Sequence, residues 1–204
     1  NPVEQILSSN GITSLKFFTN AVNTITQGID VVLNYNHPIS TGKLTLMTAY
    51  NYNDTKIDGQ IEVPTILRNN GYADNFFDRK EQSRITSARP KQKAIIGLGY
   101  DWSKFNVNFN NTYFGEVTWK HASDAANDQT FKGKVVTDLI LAYDVTKKLK
   151  VSGVVNNLFN IYPDEIDTKG DVSTNLGGRF KYPWEVNQFG FNGTTFLLNL
   201  NYSF

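Results

Sequence analysis

The sequence predicts an all-β fold, an antiparallel transmembrane β-barrel segment of about eight strands, and three observations predict it. The last stretch of the chain alternates with period two, which is the pattern of a β-strand with one apolar face. Similar alternation recurs along the chain. Short and long connections alternate between these stretches, as in barrels that have short periplasmic turns and long extracellular loops. The apolar positions of the last stretch are Phe196, Leu198, Leu200, Tyr202 and Phe204.

Length and composition exclude several classes of protein. The chain has 204 residues, enough for one β domain, and its net charge of +1 gives no basic footprint for nucleic acid. It has no cysteine, which excludes disulfides and thiolate metal sites. No run of apolar residues is long enough for a membrane-spanning helix. A mean hydropathy of −0.37 is compatible with a barrel, because alternating strands average out in such an index.

Eight stretches alternate and are predicted as strands. The first predicted strand, 14–22, is followed by a short reversal at 23–26. In the fifth, Asn106, Asn108 and Asn110 share one face, and a dry sandwich core cannot bury them without partners. A polar lumen accommodates such a row. The eight stretches are 14–22, 28–35, 44–53, 94–100, 105–113, 135–145, 149–155 and 196–204.

The connections differ in length in a regular order. Short turns are predicted at 36–42, 101–104 and 146–148. A long irregular stretch at 56–84 would be unusual in a compact soluble domain but is expected on the outer side of a barrel. Two further long loops are predicted at 119–133 and 160–192. Aromatic residues cluster near the strand ends, as the interfacial girdles of a barrel require: Tyr35, Tyr52, Tyr100, Trp102, Tyr143 and Tyr202.

Several stretches resemble the barrel of TonB-dependent outer-membrane receptors, with a Bacteroidetes-like character. The block Asn156-Asn157-Leu158-Phe159 and the last residue, Phe204, are the most specific features of the resemblance. It implies that residues 1–204 are the C-terminal part of a 22-stranded barrel, with no plug domain in this chain. The similar stretches are Phe17–Thr24, Thr26–Asp30, Ala88–Lys91, Asn111–Val117, Val155–Pro163 and Gln188–Phe204.

The resemblance also implies a function and partners. Such receptors lie in the outer membrane of Gram-negative bacteria and take up a scarce nutrient: an iron chelate, haem, cobalamin or a glycan. The expected partners are outer-membrane lipid, the remainder of the receptor barrel and its plug, the TonB complex acting through that plug, and an unknown small ligand. The barrel-assembly machinery is expected to recognise the apolar stripe of the last strand: Phe196, Leu198, Leu200, Tyr202 and Phe204.

Ligand contacts are expected in the long loops. Arginine pairs with anionic chelates in a bidentate manner, and aromatic rings stack on sugars or catechols. The candidate contacts are Arg68, Tyr72, Phe76, Phe77, Arg79, Trp119, His121, Arg179, Tyr182 and Trp184.

No catalytic or metal-binding motif stands out. The nucleophile elbow, the zincin helix and the P-loop are all absent from the sequence. The acidic residues Asp164, Glu165 and Asp167 lack the spacing of an EF-hand. The sequence therefore predicts neither an enzyme nor a cofactor.

Two other classes remain open at this point. An eight-stranded barrel can close by itself around a lumen filled with side chains, so the chain could be a small outer-membrane adhesin or structural protein. A soluble β-sandwich binding module is the third possibility. It predicts a chain that folds in solution without detergent, and the outward apolar stripes argue against it.

Overall fold

The computed structural model describes residues 20–71, 73–167, 180–186 and 188–204. The strands are β1 Asn23–Ile39, β2 Gly42–Asp58, β3 Gln92–Trp102, β4 Phe105–Phe114, β5 Val117–Trp119, β6 Gln129–Phe131, β7 Lys134–Asp144, β8 Leu149–Asn156 and β9 Thr195–Tyr202. Seven of them form one antiparallel sheet in the order β1-β2-β3-β4-β7-β8-β9, and β5 pairs with β6 in a separate hairpin. The predicted all-β antiparallel fold is confirmed.

The register places apolar residues opposite one another across the whole sheet, because directly paired residues point to the same side. This side is called the apolar face below. Most of its residues are exposed or half-buried, with 57% of Tyr35, 45% of Leu98 and 79% of Phe196 accessible. Within the described chain, no second sheet covers this face, as the sandwich alternative would require. One row crosses all seven strands: Tyr35, Leu46, Leu98, Phe109, Leu139, Val155 and Phe196.

The opposite side, called the polar face, carries the predicted asparagine row. Asn108 Nδ2 donates to Asn106 Oδ1 at 2.6 Å, and Asn106 Nδ2 donates to Asp101 Oδ1 at 2.5 Å. A Cβ at Gly99 would lie 2.6 Å from Asn108 Oδ1, so glycine leaves the space that the asparagine side chain occupies. The asparagines are therefore satisfied by one another rather than by a dry core.

The short connections lie together at one end of the sheet, called the turn edge. Two residues, Ser40 and Thr41, join β1 to β2. Ser103, in the left-handed region with φ of 53°, turns β3 into β4. In the turn between β7 and β8, Thr146 Oγ1 accepts from the backbone N–H groups of Lys148 and Leu149. The short turns occur where they were predicted, but two of them are shorter, because 36–39 belong to β1, 42 belongs to β2 and 101–102 belong to β3.

The predicted reversal at 23–26 is wrong, because these residues begin β1. Thr24 pairs with Ile57, and the hydroxyl oxygens of Thr26 and Thr55 are 2.8 Å apart across the strands. Threonine favours strands, and the partner strand supplies a full ladder here. Residues 20–22 precede β1 without strand structure, and the rest of the predicted strand 14–22 lies outside the described residues.

Regular structure also interrupts the first long loop, which was predicted as irregular. Three helices lie within 56–84 or just beyond it: α1 Thr65–Asn69, α2 Ala73–Phe76 and α3 Arg79–Thr86. The side chain of Asp78 caps α3 by accepting from the backbone N–H of Glu81 at 2.9 Å. This Asp-x-x-Glu spacing is a helix-start signal that the strand pattern obscured. Among the described residues, no helix has the length and apolarity needed to cross a membrane.

Candidate functional site

The loops form a small folded unit at the end of the sheet opposite the turn edge, called the loop edge. Its interior, the loop cluster, is apolar and contains Trp119, which is fully buried. The hairpin of β5 and β6 supplies three of the buried side chains, and the last long loop supplies two more. The loop cluster comprises Ala88, Val117, Trp119, Phe131, Ile166 and Val186.

A charged network ties the loop cluster to α3. The Trp119 indole Nε1 donates to Glu185 Oε2 at 2.7 Å, and the Glu185 side chain is only 3% exposed. The other oxygen of Glu185 accepts from Arg84, which also pairs with Glu81 at 2.8 Å. Partial burial lowers the pKa of Arg84, but the two carboxylates outweigh that effect and raise it overall. The last loop is therefore fastened to the helix through a satisfied buried carboxylate.

Arg79 makes a second network at the first turn of α3. Its guanidinium donates to both oxygens of Asp128, at 3.1 and 2.7 Å, and to the backbone oxygen of His121 at 3.0 Å. Asp128 also accepts from the His121 backbone N–H at 2.9 Å. Burial raises the pKa of Asp128, but these hydrogen bonds outweigh it, so the pKa lies below its ordinary value.

The His121 ring orders the loop that follows it. It is 5% exposed, and its Nδ1 accepts from the backbone N–H groups of Ser123 at 3.3 Å and Asp124 at 3.0 Å. The His121 ring therefore shapes the chain beside Arg79.

A cleft of about 690 Å³ opens between the start of α3 and the 122–123 segment. Its wall combines the Phe77 ring and other apolar groups with the polar groups of Arg79 and Gln82. This mixture of apolar surface and a few polar groups is typical of small-molecule sites. The lining residues are Ile61, Val63, Ala73, Phe77, Asp78, Arg79, Gln82, Ala122 and Ser123.

Part of the last loop folds over the polar face. Phe189 packs against Phe114 with ring centroids 5.4 Å apart, and Phe114 belongs to the polar face of β4. Between this loop and the wall lies a crevice of about 210 Å³. Asp138 and Asn156, from the polar face of β7 and β8, line the crevice beside Gly190.

Three aromatic rings of the same loop stack in parallel. Tyr162 and Tyr182 have centroids 5.6 Å apart and planes 7° apart, and Tyr182 and Phe191 follow at 5.8 Å and 14°. The Lys181 ammonium lies 5.5 Å from the centre of the Tyr182 ring. The hydrogen bond to Glu165 and the negative charge of that carboxylate raise the pKa of Lys181 above its ordinary value.

The structure brings together only some of the candidate ligand contacts. Phe77 and Arg79 both line the cleft. His121 does not line it, but its backbone oxygen accepts a hydrogen bond from Arg79. Trp119 is committed to the loop cluster. Tyr72 and Arg179 lie outside the described residues.

The remaining candidates lie apart from the cleft wall. Arg68 is exposed on α1 and donates to the backbone oxygen of Val63 at 3.4 Å, whereas Phe76 is half-buried on α2. Tyr182 belongs to the aromatic stack, and Trp184 is half exposed. Asp128 and Glu185 were missed, because a single carboxylate in a loop shows no pattern until its arginine partner is known. The proposed assembly residues of β9, from Phe196 to Tyr202, are exposed on the apolar face.

Comparison with known proteins agrees with this geometry. A search of the curated proteins found no match to the chain. The structure is similar to the ferripyoverdine receptor of the outer membrane of Pseudomonas aeruginosa, solved with bound ferripyoverdine, with a TM-score of 0.54 and 14% identity. The similarity covers 89% of this chain but 20% of that receptor, so the chain spans about a fifth of its length.

At this identity the likeness to the ferripyoverdine receptor shows the fold alone. The family is identified by sequence. A family model described as "TonB dependent receptor-like, beta-barrel" matches residues 3–158, which is most of the chain. This family consists of receptors and transporters rather than of a class of enzymes. The chain belongs to the β-barrel family of TonB-dependent receptors.

Proposed function

We propose that this chain is the C-terminal part of a 22-stranded outer-membrane barrel that takes up a scarce nutrient with energy from the TonB complex. The nutrient is an iron chelate, haem, cobalamin or a glycan, and the chain has no catalytic role. The plug and the remaining strands would come from other parts of the receptor. The seven described strands would form wall, with outer-membrane lipid against the apolar face. The Bacteroidetes-like character stays a prediction.

The observation that carries the proposal is the folded loop unit with its cleft at the loop edge. A barrel with a purely structural role needs only its wall. It does not need a cavity of about 690 Å³ between a capped helix and a loop that is shaped by a buried histidine. Phe77 offers a ring for stacking, while Arg79 is held rigid by Asp128 at the cleft wall. A pre-organised site of this kind lowers the entropic cost of binding.

Uptake by cells tests the proposal. Cells that carry the complete receptor would be given five radiolabelled probes: a ferric hydroxamate, a ferric catecholate, haemin, cyanocobalamin and a maltooligosaccharide. We expect one probe to accumulate in energised cells and not after a protonophore is added. Phe77→Ala should reduce its binding about tenfold, because a buried stacking contact contributes on the order of 1–1.5 kcal/mol.

A matched control separates the cleft from general effects on the loops. Phe180 is an exposed loop aromatic that does not line the cleft, so Phe180→Ala should bind the probe like the wild type. Accumulation that persists without membrane energy would contradict the transport proposal. Equal binding by the wild type and Phe77→Ala would remove the cleft from it.

We also propose that the apolar stripe of β9 is the signal read by the barrel-assembly machinery. The stripe presents its side chains to the outside, where a second protein can reach them before lipid does. Phe204→Ser should sharply lower the amount of receptor in the outer membrane. Leu197→Ser changes a residue of the same strand that points to the polar face, and it should leave that amount unchanged. Wild-type surface levels of Phe204→Ser would contradict the proposal.

A further inference from the structure

The charge at the cleft wall differs from what its residue types suggest. Among the described residues that line the cleft, Arg79 is the one cation and Asp78 is the one anion. Lys80 and Lys120 carry positive charges close by, but neither of them lines the cleft. A guanidinium pairs well with carboxylates and other anions, so an arginine in such a wall would ordinarily attract an anionic ligand. The surroundings of Arg79 therefore decide which ligands the cleft can take.

Asp128 balances the charge of Arg79. The guanidinium donates to both oxygens of the Asp128 carboxylate and to the backbone oxygen of His121. These bonds use three of the five N–H groups of the arginine side chain. Asp124 adds a further negative charge close to the guanidinium. An anion that enters the cleft meets a cation that is already neutralised, so the loss of its hydration is not compensated.

The other polar groups of the wall are acceptors of hydrogen bonds. Asp78 uses Oδ1 to cap α3, and its Oδ2 has no partner among the described residues. Gln82 donates from Nε2 to the Phe77 backbone oxygen at 3.0 Å, which fixes the amide and leaves Oε1 without a partner among those residues. The dipole of α3 offsets part of the Asp78 charge, so the wall as a whole is weakly negative. A ligand must therefore bring donors to these oxygens.

We propose that Asp128 makes the cleft selective for an uncharged ligand that carries hydroxyl or N–H donors. Asp128 does not line the cleft and acts through Arg79, so it determines specificity without touching the ligand. The ligand would place an apolar surface on the Phe77 ring and donate to Asp78 and Gln82. Anionic ligands are rejected because the wall offers them no unbalanced positive charge.

This inference rests on the proposed function, because it names the class of ligand that the cleft takes. The uptake experiment distinguishes the two. A ferric hydroxamate complex without net charge, cyanocobalamin and the maltooligosaccharide are the uncharged probes, and the ferric catecholate and haemin are the anionic ones. We expect the probe that accumulates in energised wild-type cells to be uncharged. Energy-dependent accumulation of an anionic probe would support the transport proposal and overturn this inference.

Binding to the purified complete receptor in detergent tests the role of Asp128 without transport. The probe is a ferric catecholate, and equilibrium dialysis with radioactive iron measures its affinity. Asp128→Asn keeps the size of the side chain and an oxygen for the His121 backbone N–H, but it removes the negative charge beside Arg79. It should bind the ferric catecholate about tenfold more tightly than the wild type, because an unbalanced charge close to the ligand contributes roughly this factor.

Two further variants show whether the gain of affinity comes through Arg79. Arg79→Gln combined with Asp128→Asn should return ferric catecholate binding to the wild-type level. Asp164→Asn is the matched control, because Asp164 also accepts from a cation, Lys134, at 2.6 Å and from a backbone N–H, that of Lys132, at 2.7 Å. Neither Asp164 nor Lys134 lines the cleft, so this variant should bind the ferric catecholate like the wild type.

A gain of affinity cannot arise from damage to the loop, because a damaged cleft would bind every ligand more weakly. Unchanged binding of the ferric catecholate by Asp128→Asn would overturn the inference, and so would an equal gain in Asp164→Asn or a gain that persists in the double variant. If hydrogen exchange shows that residues 121–128 are unfolded in Asp128→Asn, the charge of the probe that wild-type cells accumulate decides the inference. Without accumulation of any probe the transport proposal fails, and the binding measurements still decide whether Asp128 selects against anions.

Discussion

Replacing Trp119 by phenylalanine should open the loop unit without disturbing the barrel wall. The substitution keeps an aromatic ring in the loop cluster but removes the indole N–H that donates to Glu185. The Glu185 side chain is almost fully buried, so no water replaces the lost donor without opening the loop. The pair formed by Glu185 and Arg84 remains, which limits the damage to one hydrogen bond and part of one ring.

The expected cost follows from these contacts. A hydrogen bond to a charged group contributes about 2 kcal/mol net, and the lost ring atoms contribute about 1 kcal/mol of apolar burial. About 3 kcal/mol corresponds to roughly a hundredfold increase in the fraction of open loop. This change concerns local opening, since the loop cluster and the strands of the wall bury different side chains.

Hydrogen exchange read out by mass spectrometry measures this opening in the detergent-folded protein. Peptides from 117–131 should exchange about a hundredfold faster in Trp119→Phe, and peptides from β4 and β7 should not change. Trp184→Phe is the control, because Trp184 is half exposed. Glu185→Gln combined with Trp119→Phe should cost less than the sum of the single changes. Wild-type exchange of 117–131 in Trp119→Phe would refute the reasoning.

Two further predictions concern the second charged network and the polar face. Because the pKa of Asp128 is lowered in the folded loop, its stabilising contribution is present above the unfolded value of 3.8 and lost as pH falls toward the folded one. The protection of residues 121–128 against hydrogen exchange should therefore decrease when the pH is lowered below about 4. The Asp128→Asn variant should have weaker protection at neutral pH and should lack this decrease in acid. Gly99→Val should displace Asn108 and cost about 1 kcal/mol in urea unfolding, because the amide can rotate away. Gly153→Val, at a glycine with open space around its Cβ position, should not destabilise the protein; equal midpoints for both variants would contradict the account of the asparagine row.

The strands of the sheet could be predicted from the sequence because, along each strand, residues alternate one by one between an apolar face and a polar face. In a transmembrane barrel, lipid outside and water inside impose period two on every strand. The register of this chain then aligns Leu98 with Phe109 and Leu139. The resemblance to TonB-dependent receptors rests on the same strands, and the family match confirms it. Local alternation sufficed here because each strand needs only its immediate neighbours.

The loop unit could not be predicted in this way. Trp119 was expected to contact a ligand because it stands in a polar stretch, but its environment depends on Val186 and Ile166, which are distant in sequence. Likewise, Thr24 and Thr26 were interpreted as turn residues, since their strand character depends on a partner more than 25 residues away. Side chains whose partners come from other loops carry no periodic signal, so sequence patterns identify the loops but not their contacts.

The inward position of the last loop bears on how wide the complete barrel must be. Phe189 packs on Phe114, and the crevice beside it is lined by Asp138 and Asn156, all on the polar face. An eight-stranded barrel is just wide enough for its own side chains or one small ligand, which leaves little space for a loop within its lumen. In the described chain β1 and β9 also lie at opposite edges of the sheet and do not pair. A loop that folds against the inner wall therefore favours a wide barrel, as the uptake proposal requires, over a small self-contained one.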